Sequence, residues 1–343
     1  MQVHTIGIDL AKNVFQVHGV DEAHEVVVVR QLRRKQVIPF FAKLAPCLIG
    51  MEACATGHYW ARELMELGHT VRLIPPVYVK AYVKRQKNDA ADAAAICEAV
   101  TRPSMRFVPV KTEEQQAALT VHRARDLLIR QRTQLTNALR AHLAEFGIVA
   151  EQGREGLNKL VEIISDAALT QSLPREMLQA LHVMLAQLTS LQQQISELDR
   201  LIKNQHRASD VSQRLEGIPG IGVIGATAIA ATVTDPGQFK SGRDLAAWIG
   251  LVPKQYSTGG KARLGSISKQ GDRYLRRLLV VGGMSVVKLA KIFPWKYPWV
   301  AKLLARKPAK VVAIMVANKL ARIAWAIMSK GESYRPRVRT VRL

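Results

Sequence analysis

The sequence predicts a mixed α/β amino-terminal domain joined to a mainly all-α remainder. Three observations predict it. Strand-like and helix-like runs alternate over the first hundred residues, leucines at helical spacing fill the middle, and glycine-punctuated basic helices fill the last third. At 343 residues the chain is long for a single core, so two or three domains are expected. Val3–Leu10, Val14–Val20 and Glu25–Gln31 read as three consecutive strands with short connections. Gln36–Leu44 reads as a helix, Pro46–Glu52 as a buried strand, Trp60–Leu67 as a helix, Thr70–Pro75 as a strand and Val77–Val100 as a helix. A three-stranded meander followed by alternating helices and strands is the order of a ribonuclease-H-like fold.

From about Glu113 to Asn204 the pattern is wholly helical. Leu178, Leu181, Leu185, Leu188, Leu191, Ile195, Leu198 and Ile202 recur at spacings of three and four, an apolar stripe for a helix hairpin or coiled coil. Such a stripe is expected to serve spacing and self-association. A third section, from near Gln213, holds a glycine-rich turn, a Ser/Thr/Gly/Lys loop and basic helices through Lys330. The expected domains are therefore residues 1–110, a helical spacer over 111–210, and a mainly helical basic domain over 211–343. The tail Arg335–Arg342 alternates arginine with small or apolar residues and reads either as a solvated end or as a phosphate-contacting arm.

Charge is the unusual property of the composition. The chain carries 50 Lys and Arg against 27 Asp and Glu, and residues 236–343 alone hold 23 basic and 3 acidic residues, a net of +20. A cationic final third implies a polyanionic partner, because neutralising phosphates releases their counterions without any base-specific contact. DNA or RNA is the expected partner and an anionic membrane surface the competing one. Cys47, Cys54 and Cys97 are too few and too irregular for a disulfide framework or a zinc knuckle, and read as small buried or partly buried thiols. No secretory signal pattern opens the chain. The longest uncharged run, Gly217 to Thr234, is too rich in glycine and proline for a membrane span, so a cytosolic location is expected.

Four carboxylates stand out. Asp9 ends the first strand, Glu52 ends a later one, and Asp89 and Asp92 share one face at the start of a helix that Asn88 is placed to cap. A carboxylate inside an apolar strand, as in IGIDL or IGME, is costly unless paired or metal-bound. Four such groups on adjacent elements can hold two divalent cations, which clamp the attacking and leaving oxygens of a phosphoryl displacement. Each acid by itself is an ordinary cap or surface group; their order is what points to metal.

Two further segments carry chemistry. Gly220, Gly222 and Gly225 formally match G-x-G-x-x-G, but a helical run precedes them instead of a strand, so a dinucleotide site is rejected. LEGIPGIGVIGATAIAA reads instead as a helix-hairpin-helix-like turn whose glycines allow a phosphate close to backbone N–H groups, or as a purely structural helix hairpin. Beyond it, Ser257 and Thr258 lie beside Gly259 and Gly260, with Lys254, Lys261, Arg263 and Lys269 around them in sequence and Arg273 following. Local residues alone read as a polar hairpin turn with surface lysines. Ser266-x-x-Lys269 invites a β-lactamase comparison, but its companion motifs are missing.

IGIDLAKNVFQV, MEACATGHYWAREL and KNDAADAAAICEA resemble the acidic domain of the DEDD insertion-sequence transposases, relatives of the Piv DNA invertase and members of the bridge-RNA-guided or seekRNA-guided recombinases. IPGIG, AAWIGLVPKQYSTGGKARLG and ISKQGDRYLRRLL resemble the same family's carboxy-terminal transposase domain. One departure is EACATG after Met51, where many members have the shorter EATG. The resemblance spans nearly the whole chain. It implies a RuvC-like fold with Asp9, Glu52, Asp89 and Asp92 as magnesium ligands (manganese substituting), and Ser257 as a nucleophile that attacks DNA, with Thr258 the adjacent alternative. It further implies a composite site, an element-encoded non-coding guide RNA, element and target DNA, and a homo-oligomer, a dimer or a tetramer at synapsis. Gly220, Gly222, Lys254, Lys261, Arg263, Lys269 and Arg273 are the expected nucleic-acid contacts. The rival readings are a hydrolytic RuvC-like Holliday-junction nuclease, which needs no serine, and a non-enzymatic nucleic-acid-binding scaffold.

Overall fold

The computed structural model describes residues 2–83, 88–166 and 173–335, and these divide into two compact units, residues 1–114 and 115–343. The helical spacer and the basic section fall together in the second unit.

The first unit is a five-stranded sheet with helices on both faces. Its strands are β1 (Thr5–Leu10), β2 (Val14–Val20), β3 (Val26–Arg33), β4 (Leu48–Glu52) and β5 (Thr70–Ile74), in the order β3-β2-β1-β4-β5. β1, β2 and β3 form the antiparallel meander, and β4 and β5 extend it in parallel. α1 (Val37–Phe41) and α2 (Gly57–Glu66) cover one face, where Ile6, Ile8, Ile49 and Met51 pack with Phe41, Trp60 and Leu64. The expected helix over Val77–Val100 is two elements. α3 (Pro76–Val79) is one turn, and α4 (Asp89–Val100) starts only where Asn88, in extended backbone, accepts the Ala91 N–H on its side chain at 2.7 Å. Residues 84–87 lie outside the described residues.

α4 covers the opposite face, and two glycines allow it to sit there. Gly7 and Gly50 are register partners on β1 and β4. A Cβ on Gly7 would lie 2.2 Å from the Ala93 carbonyl oxygen, and one on Gly50 would lie 2.8 Å from the Val100 Cβ. The helix backbone therefore rests directly on the sheet, with Ile96, Ala99 and Val100 buried.

In the second unit, α5 (Glu113–Ala144), α6 (Arg154–Ser165) and α7 (Arg175–Arg207) make the helical section. Arg125 pairs with Asp199 and Arg132 donates to Gln192 at 2.9 Å, so α5 and α7 run antiparallel. Every member of the predicted stripe is buried or half-buried, five of them fully, with Leu139, Leu143 and Leu160 among the facing residues. The stripe thus packs within the chain as one leg of a helix hairpin, one of the two arrangements its spacing allowed.

The rest of this unit comprises α8 (Asp210–Glu216), α9 (Val223–Thr232), α10 (Gly242–Trp248), a hairpin of β6 (Pro253–Thr258) and β7 (Lys261–Ile267), then α11 (Arg273–Ile292), α12 (Pro298–Leu304) and α13 (Ala309–Lys330). α13 is long and apolar enough to cross a membrane by length and composition. Its Val312, Val316, Leu320, Ala324 and Ile327 are buried against Leu279, Val286 and their neighbours, as befits a core helix. Residues 336–343, and with them nearly all of the arginine-rich tail, lie outside the described residues. Cys47 and Cys97 are buried free thiols and Cys54 is half-buried, as expected, and burial pushes Cys47 and Cys97 up to about 11.

A buried polar contact ties the helical section to α11. His122 on α5 shares a 3.0 Å hydrogen bond with the Tyr274 hydroxyl, and Asp126, one turn on, pairs with Arg277. Burial, helped by Arg125, holds His122 down at about 4, and burial pushes Tyr274 up to about 12. Unfolding returns His122 to an ordinary value near 6.5, so the unfolded chain binds the extra proton. This contribution, about 3 kcal/mol at most, is present in full above pH 6.5 and is lost as pH falls toward 4. His122→Gln, which keeps a partner for Tyr274, is expected to flatten that part of the curve when urea midpoints are compared between pH 7.5 and 5. An unchanged slope would remove His122 as its source.

Candidate active site

Strand alternation sets the acidic site. Gly7 and Gly50 face α4, so Asp9 and Glu52, each two residues further along, project on the same side of the sheet. Contacts with α4 run from Cys97 beside Thr5 to Ala93 beside Gly7, so the strands point toward the helix amino terminus. Asp89 and Asp92 stand there in the first turn. Ligand atoms of Asp9, Asp89 and Asp92 all lie within 4.8 Å of one another. Asp89 is exposed and the other two are half-buried. Glu52 ends the adjacent strand, half-buried, outside this tight trio. Crowded carboxylates repel one another, and an all-oxygen donor set suits a hard divalent cation.

The serine segment is a strand, not an irregular loop. β6 and β7 form a two-stranded ribbon exposed along nearly its whole length, with Gly259 and Gly260 at the tip in the left-handed region at φ 55° and 77°. Ser257 is exposed, and its Oγ accepts the Gln255 side-chain amide at 2.8 Å. Tyr256 pairs with Arg263, and Thr258 with Lys261. Pleat alternation therefore puts Lys261 and Arg263 on the face of Thr258, and Ser257 on the other face with Gln255 and Leu264. Nearness in sequence had grouped these cations with Ser257, and the ribbon separates them.

Lys254, Lys269 and Arg273 are exposed as well, the last at the start of α11 behind its Asp272 cap. Lys269 has φ 56°, rare outside glycine, and its N–H bonds the Gly250 carbonyl at the ribbon's base. Arg276 was not singled out from the sequence. It donates from Nη1 to the carbonyls of Ile249 at 2.8 Å and Gln270 at 2.6 Å, pinning both legs of the ribbon to α11. Its signal was only an arginine one turn into a helix.

At the glycine turn the two expected contacts differ. Gly220, at φ 96°, lies against α11, where an added Cβ would meet the Gly282 carbonyl oxygen at 2.9 Å, so close packing accounts for it. Gly222 caps α9 with open space around it. Nearby, His206 bonds Ser212 Oγ at 2.8 Å and Glu216 at 3.0 Å. This resembles a nucleophile–base–acid array, but Ser212 is fully buried, and the trio joins α7 to α8.

Two family models match these sections separately. The DEDD transposase model covers residues 6–148 and holds all four carboxylates, and the model described as the transposase IS116/IS110/IS902 family covers residues 212–297 and holds the glycine turn and serine ribbon. The chain is 52% identical over 338 residues to a probable family 20 transposase of Pseudomonas aeruginosa, covering 98% of this chain and all of that one. The chain belongs to the IS110/IS116 transposase family. It is also 42% identical to the transposase for insertion sequence element IS1328 of Yersinia enterocolitica, across 96% of this chain and 98% of the relative. A pilin gene-inverting protein of Moraxella bovis is 24% identical over 83% of this chain and 81% of its own length. Membership in a transposase family implies that the chain cuts and rejoins DNA.

For this transposase the acidic trio generates a direct expectation. Magnesium or manganese should raise the melting temperature of the full chain and a chelator should lower it. Asp89→Asn should melt higher than wild type in chelator, because one repulsive charge is gone, and should lose the cation-dependent rise. An undiminished magnesium response in Asp89→Asn would sink the cluster as a cation site.

Proposed function

We propose that this transposase is an RNA-guided recombinase of an insertion sequence, which cuts and rejoins DNA through a phosphoserine intermediate formed on Ser257. The observation carrying this reading is the joint presence of an oxygen-only acidic cluster on the sheet and an exposed serine on a pinned ribbon in one chain of this family. The name pilin gene-inverting protein, given to the Moraxella relatives, describes a rearrangement that needs rejoining as well as cutting.

The chain's own residues take definable parts. The Ser257 Oγ forms a bond to phosphorus as the bond from phosphorus to one sugar oxygen breaks. The number of phosphoester bonds is unchanged, so the reverse attack by a strand's freed hydroxyl needs no outside energy source. Gln255 holds the Oγ rotamer by donating to it, and the serine hydroxyl proton ends on the departing sugar oxygen, which leaves as the freed hydroxyl. Asp9, Asp89 and Asp92, with Glu52 at the end of the adjacent strand, would hold magnesium, which would supply charge stabilisation to phosphoryl oxygens. Lys261 and Arg263, on the other face of the ribbon, clamp neighbouring phosphates, and Lys254, Lys269, Arg273 and the open Gly222 turn of a helix-hairpin-helix-like motif extend that track.

A basic surface binds phosphate without reading sequence, so site choice falls to base pairing with an element-encoded RNA. Two or four copies in the cytosol, associated with the nucleoid, would hold element and target together. The hydrolytic junction nuclease is the reading that a missing serine adduct would restore.

Trapping on a nicked suicide substrate should give a DNA–protein adduct that maps to the ribbon. Ser257→Ala should abolish the adduct while binding DNA and RNA as wild type does, and Thr258→Ala should retain it. The opposite result for the two variants would move the nucleophile to Thr258. Free cleaved DNA with no adduct would return the site to hydrolysis, and unchanged site choice after complete RNase digestion would remove the guide.

A further inference from the structure

A groove of about 1570 Å³ lies in the second unit, between the base of the ribbon and one face of α13. Pro253, Gly265 and Ile267 form its end at the ribbon, and Val311, Ile314 and Met315 supply an apolar wall. Arg243, Lys269, Lys319, Arg322, Lys330 and Arg335 line it against a single acid, Glu332. Trp299 lies in the same lining, with the Lys319 ammonium 4.1 Å from its ring centroid. Trp299 is 39% exposed even so, which leaves room for a ligand against it.

We infer that this groove binds an unpaired stretch of the DNA strand that the Ser257 ribbon attacks. Six cations against one acid select a polyanion. The volume exceeds the roughly 300–1,000 Å³ of small-molecule sites, which favours a polymer. A duplex presents charged backbone and hides its base faces, so against it the wall of Val311, Ile314, Met315 and Trp299 would be desolvated without partners. A single strand offers both surfaces, with phosphates on the cations and bases stacked on the indole and aliphatic side chains. DNA is the strand chemistry because the groove opens at the base of the ribbon carrying Ser257. Arg276 and the Lys269–Gly250 bond hold that base, so groove and serine keep one geometry. This inference rests on the ribbon acting on DNA, and it adds that the strand is unpaired beside the reacting phosphate.

The test reads binding, not cleavage, and so stands apart from the nucleophile assignment. Full-length protein is titrated with a fluorescein-labelled single-stranded oligodeoxynucleotide carrying 5-iododeoxyuridine. The same sequence as a duplex, the oligoribonucleotide and poly-glutamate serve as comparisons. The single-stranded DNA should bind tightest and photo-crosslink to the peptide containing Trp299. Trp299→Leu should weaken it about tenfold and change duplex binding less than twofold, and Trp299→Phe should restore most of the affinity. Arg322→Gln should weaken the single strand and flatten its salt dependence. Ser257→Ala should match wild type in every arm, which separates failure of the groove from failure of the nucleophile. Unchanged single-strand affinity in Trp299→Leu, equal losses for duplex, crosslinks that map elsewhere, or tighter binding of poly-glutamate or of RNA would each overturn the inference.

Discussion

The close approach of α4 to the sheet is the constraint on which the acidic site depends. Side chains at Gly7 and Gly50 would overlap the Ala93 carbonyl and Val100, so any larger residue pushes the helix outward. Asp89 and Asp92 ride on the first turn of that helix, and Asp9 lies two residues past Gly7 on the strand beneath. Carboxylates gather to within 4.8 Å only because two backbones touch. Such crowding opposes folding electrostatically, and the buried contacts of Ile96, Ala99 and Val100 offset it.

The second unit repeats the device at another place. Gly282 meets the backbone of Gly220, and Gly283 meets the Ala313 carbonyl, so α11 is gripped between the glycine turn and α13. That grip supports everything hung on α11: Arg273 at its start, Arg276 at the base of the ribbon, and the His122–Tyr274 contact with the helical section. A two-stranded ribbon is marginal by itself in water. Here its legs are held by Arg276 and by the Gly250–Lys269 bond, while its tip stays exposed. Rigid at the base and bare at the tip is a sound arrangement for a side chain that meets a macromolecule, because the hydroxyl is presented without being buried by its own protein.

Much of the first unit was legible because its signals are local. Apolar strands alternate, Asn88 caps, and carboxylates interrupt hydrophobic runs, and each of these is a property of a few neighbouring residues. The expected helix over Val77–Val100 ran across a polar stretch, residues 84–89, and α4 begins only behind the extended Asn88 at the end of that stretch. The stripe on α7 was legible as buried surface, but periodicity cannot say whether the covering helix comes from the same chain. Arg132 and Gln192, sixty residues apart, answer that. Gly220 drew attention as a phosphate contact, and its neighbour Gly282 accounts for it by packing.

The sequence by itself determined the order of the elements, the four carboxylates, the basic final third and the family to which its motifs point. It did so because turn chemistry, periodicity and charge are carried by residues near one another in the chain. Tertiary structure alone decided that three of the acids converge while Glu52 lies outside the tight trio. It also decided that Lys261 and Arg263 share a face with Thr258 and not with Ser257, and that Trp299 and Arg322 line one groove with the ribbon's base. Those are facts of strand register and of packing between segments distant in sequence, and neither is encoded in any short run of residues.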